Sequence, residues 1–168
     1  MLPNRQHVVN TGLGAGGASG AAFTRFVMRV FPLNHRLTAA GEAIAHAADP
    51  QQTLARWIVL ETIQAEPTTV ADIGRRLGLA RQGVQRLADA LVAGGLATYV
   101  ANPRHRRASL VQISPSGLAT LRQIQAVQRA WADRVAAGLD PQQLELACVF
   151  IDRVLERLGR DLGASARG

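Results

Sequence analysis

The chain has 168 residues, 48% of them hydrophobic, which is enough for one domain with an apolar core and excludes a chain that is disordered throughout. It carries 19 basic residues against 12 acidic ones, and the basic residues are all arginine. The net charge of +7 favours an anionic partner, and the planar guanidinium suits phosphates and guanine edges, so nucleic acid is the first partner to consider.

Cysteine content and hydropathy exclude other classes of protein. Cys148 is the only cysteine, which excludes a disulfide framework within the chain and a zinc site built on a thiol pair. The first 20 residues lack the apolar stretch of a signal peptide, and no run approaches the roughly 18 apolar residues of a membrane helix. We therefore expect a cytoplasmic protein with a disordered, glycine-rich tail over residues 1–19.

Residues 20–48 predict a long helix within an N-terminal segment that we place at residues 20–50. Pro32 predicts a kink or a break in it, because proline lacks the N–H that the helix needs. The apolar side chains recur at helical spacing, and two interpretations bury them equally well, a hydrophobic core and a dimer interface. They are Phe23, Phe26, Val27, Val30, Phe31 and Leu37.

Residues 51–114 contain the pattern of a helix-turn-helix. A helix over 52–65 precedes a short helix, "VADIGRRLG", for which Thr69 is the expected N-cap and Gly78 the left-handed end. The next helix, "ARQGVQRLADALVAGG", carries an apolar side and a polar side. Arginine and glutamine on that polar side can bond bidentately to guanine and adenine, and the candidates are Arg81, Gln82, Gln85 and Arg86. Gly83 either permits close approach to a DNA backbone or is neutral.

A β-hairpin is predicted next, from the short strands "LATYVA" (96–101) and "ASLVQI" (108–113). Its tip, "NPRHRR", holds Arg104, Arg106 and Arg107. Between residues 71 and 107 there are seven arginines and two aspartates, which is +5 of the net +7. Positive charge is therefore concentrated on the helix-turn-helix and the hairpin, where we also count Arg75 and Arg76 as phosphate contacts.

Residues 115–165 predict two long helices, which begin at Ser114-Pro115 and Asp140-Pro141, each a capping residue followed by proline. Their apolar stripes are longer than one small domain can cover, so a second copy of the chain is the expected partner. The final stripe comprises Leu144, Ala147, Cys148, Ile151, Leu155 and Leu158, and on it Cys148 is expected to be a buried, inert thiol.

The order of elements over about residues 20–160 resembles the MarR family of winged-helix bacterial transcription regulators. The most specific part is "GLATYVANPRHRRASLVQISPSG" (95–117), which is similar to the family's wing signature. The fold class implied is mainly α with a small β-hairpin wing, joined to N- and C-terminal dimerisation helices. The function implied is that of a sequence-specific, DNA-binding transcription regulator, associated with the bacterial nucleoid, that binds a pseudo-palindromic operator as a homodimer. Repression is the commoner mode in the family.

By position, the resemblance places the groove-facing residues of the second helix in the major groove. It places Arg104 in the adjacent minor groove and makes Arg107 a brace of the wing or a phosphate contact. The sequence departs from the family pattern at Asn102 and His105, where acids are usual, and at Tyr99, where arginine is usual. Those departures put the rigidity of the wing in question.

The family often binds small phenolic or anionic effectors, so the resemblance also implies a small aromatic or anionic effector and no other cofactor. The residues proposed to line its pocket are His35, Arg36, Trp57, Tyr99 and Trp131, each of which also fits a core or interface role.

An enzyme is not expected, because the chain shows no phosphate-binding glycine loop, no nucleophile motif and no metal spacing among His7, His35, His46 and His105. The remaining alternative is a winged-helix adaptor that binds proteins and not specific DNA.

Overall fold

The computed structural model describes residues 15–105 and 107–165. The described residues form six helices and three short strands. In chain order these are α1 (Ala15–Ala48), α2 (Leu54–Ile63), β1 (Thr68–Thr69), α3 (Val70–Leu77), α4 (Arg81–Ala93), β2 (Ala97–Val100), β3 (Leu110–Ile113), α5 (Pro115–Ala136) and α6 (Pro141–Ser165).

Two compact units divide the chain, with the boundary between Ile124 and Gln125 inside α5. The first unit holds α1 to α4, the sheet and the start of α5, and the second holds the remainder of α5 and α6. The core lies in the first unit, where apolar side chains of α2, α3, α4, β3 and α5 are withdrawn from water. The largest fully buried ones are Val59, Leu60, Ile63, Ile73, Val84, Leu91, Val111, Leu121 and Ile124.

The helix-turn-helix is formed by α3 and α4 and begins and ends at the predicted residues. The Thr69 hydroxyl accepts a hydrogen bond from the Asp72 N–H (3.1 Å) and donates one to the Asp72 carboxylate (2.5 Å), which caps α3. Gly78 ends α3 with φ +65°, a left-handed conformation that favours glycine. The Leu79 N–H then donates to the Gly74 carbonyl (2.9 Å), which fixes the turn before α4 begins at Arg81.

The sheet has the order β1-β3-β2, and both pairings are antiparallel. The hairpin is confirmed, although its strands are shorter than predicted. Strand β1 was not predicted, since it has only two residues and one of them, Thr69, is also the N-cap of α3. Val111 on β3 lies opposite Thr68 on one side and Tyr99 on the other.

The start of α5 is seated against the segment that leads into β2. The Ser114 hydroxyl accepts from the Gly117 N–H (3.0 Å) and donates to the Gly95 carbonyl (2.7 Å), so Ser114 is the predicted cap and also ties two segments together. The Ser114 N–H donates to the Leu96 carbonyl (3.0 Å). A Cβ at Gly117 would collide with that same carbonyl oxygen, so only glycine allows this approach.

The N-terminal helix differs from its prediction in two respects. Of the kink or break predicted at Pro32, the break is wrong, because α1 continues through this residue from Ala15 to Ala48. The helix also begins five residues earlier than predicted, so residues 15–19 are helical although they were assigned to the tail.

Long apolar stripes on α1 and α6 remain exposed in the single chain. On α1 the exposed fractions are 40% for Phe23 and 65% for Phe31, and on α6 they are 61% for Leu155. The interpretation of the α1 stripe as part of a hydrophobic core is therefore wrong for the single chain. The prediction that Cys148 is buried is also wrong for the single chain, because its side chain lies exposed on α6.

We predict that Gly117→Ala lowers the free energy of unfolding by about 1–3 kcal/mol, because the added methyl group meets a backbone oxygen that cannot rotate away. Gly83→Ala is the matched control: a Cβ there has open space, and alanine in a helix interior raises stability by about 0.5–1 kcal/mol. Urea denaturation of both variants checks the pair. Equal stability of the two variants would contradict the close seating of α5.

Candidate nucleic-acid interface

Helix α4 separates a buried face from a polar one. Val84, Ala88 and Leu91 are fully buried and anchor the helix on the core. Its polar side comprises Arg81, Gln82, Arg86 and Asp89, which are exposed, and Gln85, which is half-buried. No side chain caps α4 at Ala80, so the first N–H groups of the helix are not occupied by a capping side chain. The helix is thus anchored on the core by its buried face and presents guanidinium and amide groups on its exposed face.

The wing is the hairpin of β2 and β3, and its tip is held by a turn that begins at Asn102. The Asn102 side-chain oxygen accepts from the Arg104 N–H (2.9 Å), and the Asn102 carbonyl accepts from the His105 N–H (3.3 Å). The Ala108 N–H donates to the His105 carbonyl (3.1 Å). An asparagine therefore organises a tip that lacks the usual acids. Arg104 and Arg107 are exposed there, and Arg106 lies outside the described residues.

Two concave surfaces bring these elements together. A cavity of about 310 Å³ is lined by the start of α3, by Arg81 and Gln85 of α4, and by Tyr99 and Arg107 of the wing. A second, of about 570 Å³, lies between α3 with the segment before it and the wing tip, and Arg76 and Arg104 both line it. The fold thus gathers candidate residues that are up to 28 positions apart in sequence.

Arg75 and Arg76, predicted to contact phosphate, are paired with acids of the same unit. Arg75 forms an ion pair with Asp72 one helical turn earlier, and Arg76 pairs with Glu66 (3.1 Å). All four side chains are substantially exposed, so each pair contributes at most about 1 kcal/mol and can exchange for another anion. Their charge is compensated in the free protein, in contrast to that of Arg81 or Arg104.

A three-membered polar network joins the wing to α4. The Tyr99 hydroxyl donates to the Asp89 Oδ1 (2.7 Å), and the Gln85 Nε2 donates both to that oxygen (3.0 Å) and to the Tyr99 hydroxyl oxygen (2.7 Å). Partial burial, together with the hydrogen bond to Asp89 and its negative charge, raises the pKa of Tyr99 to about 12, against a smaller opposing effect of Gln85. The hydroxyl therefore stays a donor at neutral pH.

The five residues proposed for an effector pocket lie in different surroundings. His35 and Arg36 are exposed on α1, and Trp57 is buried in α2, where its indole N–H donates to Glu61 (3.4 Å). Tyr99 lines the smaller of the two cavities above and takes part in the wing network. Trp131 is half-buried on the part of α5 that belongs to the second unit. The effector site stays a prediction.

Over residues 15–105 and 107–165, no group of three or more His, Cys, Asp or Glu side chains is placed to hold a metal ion. Among the same residues, no helix combines the length and apolar character needed to cross a membrane.

Comparison with known proteins agrees with this geometry. A model of the MarR family matches residues 53–108, which include α2, the helix-turn-helix and most of the wing. The chain belongs to the MarR family. An uncharacterised protein of Mycobacterium tuberculosis, Rv2011c, is 38% identical over 134 residues, which cover 80% of this chain and 92% of that protein.

Solved structures of MarR regulators share the fold. The MarR family transcription regulator SP03579 superposes with a TM-score of 0.72 at 24% identity, covering 89% of this chain and 98% of that one. A mutant MarR from E. coli complexed with operator DNA superposes with a TM-score of 0.65 at 22% identity, covering 77% of this chain and 95% of that one. The predicted fold class, a winged helix with long flanking helices, is therefore confirmed.

Sequence reasoning missed the most specific contacts of this MarR protein. Tyr99 was noted as a departure from the family pattern, but its partners Asp89 and Gln85 lie 10 and 14 positions away. Nothing in the spacing signals such a contact. Strand pairing places Tyr99 opposite Val111 on β3, and only the packing of the wing on α4 completes the network.

We predict that the tyrosinate absorbance of the folded protein titrates near pH 12, and that Asp89→Asn moves the pKa of Tyr99 towards its ordinary value of 10 by removing the negative charge. Tyr99 is the only tyrosine, so the signal is specific. Because the pKa is higher in the folded state, the stability that the hydroxyl contributes is complete below pH 10 and is lost as the pH rises towards 12. Gln82→Ala is the control, and a pKa unmoved by Asp89→Asn would contradict the network.

Proposed function

We propose that this protein is a DNA-binding transcription regulator that acts as a homodimer. The observation that supports this best is the juxtaposition of α4, with exposed Arg81, Gln82 and Arg86, and a wing whose exposed tip carries Arg104 and Arg107. A rigid helix with arginine and glutamine on its outer face fits the major groove, which is about 12 Å wide. An arginine-bearing hairpin beside it extends the contact to a neighbouring groove.

The helix would supply sequence preference and the wing would supply register. Each good bidentate pair between a side chain and a base contributes about 1–3 kcal/mol of discrimination. Arg104 at the wing tip suits a narrow, A·T-rich minor groove, whose negative potential attracts guanidinium groups. Arg106 and Arg107 would add attraction to phosphates, which is sensitive to salt because bound counterions are released. Arg75 and Arg76 would contact phosphate only after exchanging their acidic partners.

The homodimer is supported by apolar surface that the single chain leaves in water. On α6, Leu155 and Leu162 are each more than 60% exposed, and on α1 the same holds for Met28 and Phe31. Burying such side chains contributes about 25 cal/mol per Å² of apolar surface, which favours association. A two-fold dimer would recognise a pseudo-palindrome with half-sites about one helical turn apart.

Regulation completes the proposal. The related E. coli protein in its complex is bound to operator DNA, and repression by occupying an operator is the mode we propose here. A small aromatic or anionic effector that shifts the spacing between the α4 helices of the two protomers would release the protein from the operator. A gel-shift titration against the DNA upstream of its own gene tests the proposal, and failure to bind at low salt would favour the protein-binding adaptor.

We predict that Arg104→Ala weakens DNA binding and lowers the slope of log affinity against log salt by about one unit, because one cationic contact is lost. Arg76→Ala is the matched comparison, with a smaller expected change because Glu66 already compensates that guanidinium. Fluorescence polarisation at several salt concentrations measures both slopes. A larger loss for Arg76→Ala would show that the Glu66 pair opens on DNA and that the wing tip is not the main contact.

We predict that Leu155→Arg shifts the protein from dimer to monomer in analytical ultracentrifugation, because it places charge in the exposed apolar stripe of α6. Gln142→Arg adds the same charge on the opposite side of α6 and should leave the dimer intact. Circular dichroism checks that both variants stay helical. A Leu155→Arg protein that sediments as the wild type would exclude this stripe from the interface.

A further inference from the structure

The orientation of the Gln85 side-chain amide is fixed by chemistry, because one of its neighbours can only accept hydrogen bonds. Asp89 is a carboxylate, which has no proton to donate at neutral pH. Its Oδ1 lies 3.0 Å from the Gln85 Nε2 and 2.7 Å from the Tyr99 hydroxyl, which donates to it. Turning the amide over would place the Gln85 carbonyl oxygen against that carboxylate oxygen, two acceptors facing each other without a proton between them.

The Tyr99 hydroxyl reinforces this orientation. Its single proton is given to Asp89, so towards Gln85 it offers a lone pair, and the Gln85 Nε2 lies 2.7 Å away. The pKa of Tyr99 is raised, so the hydroxyl keeps its proton at neutral pH and the arrangement persists. Both neighbours therefore hold the nitrogen end of the amide, while the carbonyl oxygen accepts no hydrogen bond from the described residues.

The neighbouring glutamine shows what an unconstrained amide looks like. Gln82 is exposed on the same polar side of α4, and its side-chain amide makes no hydrogen bond to any residue that the structure describes. A free amide can turn over at little cost, so it can present either its oxygen or its nitrogen to a base edge. Gln85 differs because Asp89 and Tyr99 bind its amide nitrogen, which leaves the carbonyl oxygen facing outward.

We propose that Gln85 is a specificity-determining residue whose outward carbonyl oxygen selects a base with an exocyclic amino group, adenine or cytosine, on the strand it contacts. In the major groove adenine offers its N6 amino group and cytosine its N4 amino group, whereas guanine and thymine offer the acceptors O6 and O4. A carbonyl oxygen is attracted by the first pair and repelled by the second. This inference rests on the proposed function, because it assumes that α4 enters the major groove.

The grouping of base pairs that follows is distinctive. At the position Gln85 contacts, A·T and C·G should bind alike, and T·A and G·C should bind more weakly. Recognition by groove shape would instead group A·T with T·A, because the width and stiffness of DNA depend on A·T content. A bidentate glutamine–adenine contact would favour A·T alone.

The experiment begins with selection of binding sites by the full-length wild-type protein from a library of randomised duplex DNA. Selection with Gln85→Ala identifies the position where base preference is lost, and fluorescence polarisation then gives the affinity of the wild type for duplexes with each of the four base pairs there. We expect the two base pairs with an amino base on the contacted strand to bind roughly fivefold or more tightly than the other two.

The decisive variant is Asp89→Asn, which keeps the shape of the side chain but supplies an amide that can donate to Gln85 and let it turn over. It should reduce the ratio between amino and keto bases to less than about twofold, because an amide free to rotate donates as readily as it accepts. Removing a negative charge near DNA raises affinity for all four duplexes equally, so the ratio isolates the orientation effect. Tyr99→Phe leaves Asp89 in place and should reduce the ratio by a smaller factor.

The controls separate the inference from the proposed function. Gln82→Ala identifies a second DNA position, the one where this variant loses base preference. The preference of the wild type at that position should be unchanged in Asp89→Asn and in Tyr99→Phe. A wild-type ratio that persists in Asp89→Asn, a different grouping of the four base pairs, or a Gln85→Ala protein with unaltered preference would each overturn the inference while DNA binding stands. Failure of the wild type to enrich any sequence would overturn the proposed function, and the inference with it.

Discussion

The position of β3 in the middle of the sheet is the constraint on which the DNA-facing half of the molecule depends. One edge of β3 pairs with β1, whose Thr69 also caps α3, so the helix-turn-helix begins at a residue that the sheet holds in place. Its other edge pairs with β2 to form the wing. Ser114 follows β3 directly and binds Gly95 and Gly117, which seats α5. The buried Val111 joins this strand to the core.

Side-chain hydrogen bonds at two points hold a wing that lacks the acids and the arginine usual at these positions in the family. At the tip, the Asn102 side chain accepts from the backbone N–H of Arg104, which needs no countercharge. Along β2, Tyr99 reaches Asp89 on α4 where the family usually has an arginine. Neither substitution brings an acid to the tip, so the positive potential of Arg104 and Arg107 is not reduced there. Wing geometry and wing charge are thus maintained by different residues.

Local chemistry explains which features the sequence predicts and which it does not. The cap at Thr69, the left-handed Gly78 and the start of α5 at Ser114 and Pro115 depend on a few adjacent residues, and all were predicted. The strand β1 and the network of Tyr99 are tertiary: their partners are distant in the chain and become neighbours only after folding. Two local predictions were wrong. The low helix propensity of proline did not break α1 at Pro32, and the apolar character of Cys148 did not place its side chain in the core of the single chain.

The structure also divides the arginines, which composition treats as equivalent. Arg75 and Arg76 are compensated by Asp72 and Glu66, so they add little to the field that an approaching anion meets. Among the described residues Arg81, Arg86, Arg104 and Arg107 have no acidic partner within ion-pair distance. These four lie on α4 and on the wing, the two elements shaped to enter grooves. The uncompensated positive charge is therefore carried by fewer residues than the count of seven arginines suggests. It is placed where it can orient the helix on a duplex as well as attract it, because a field concentrated on the groove-entering elements favours one docking geometry over others.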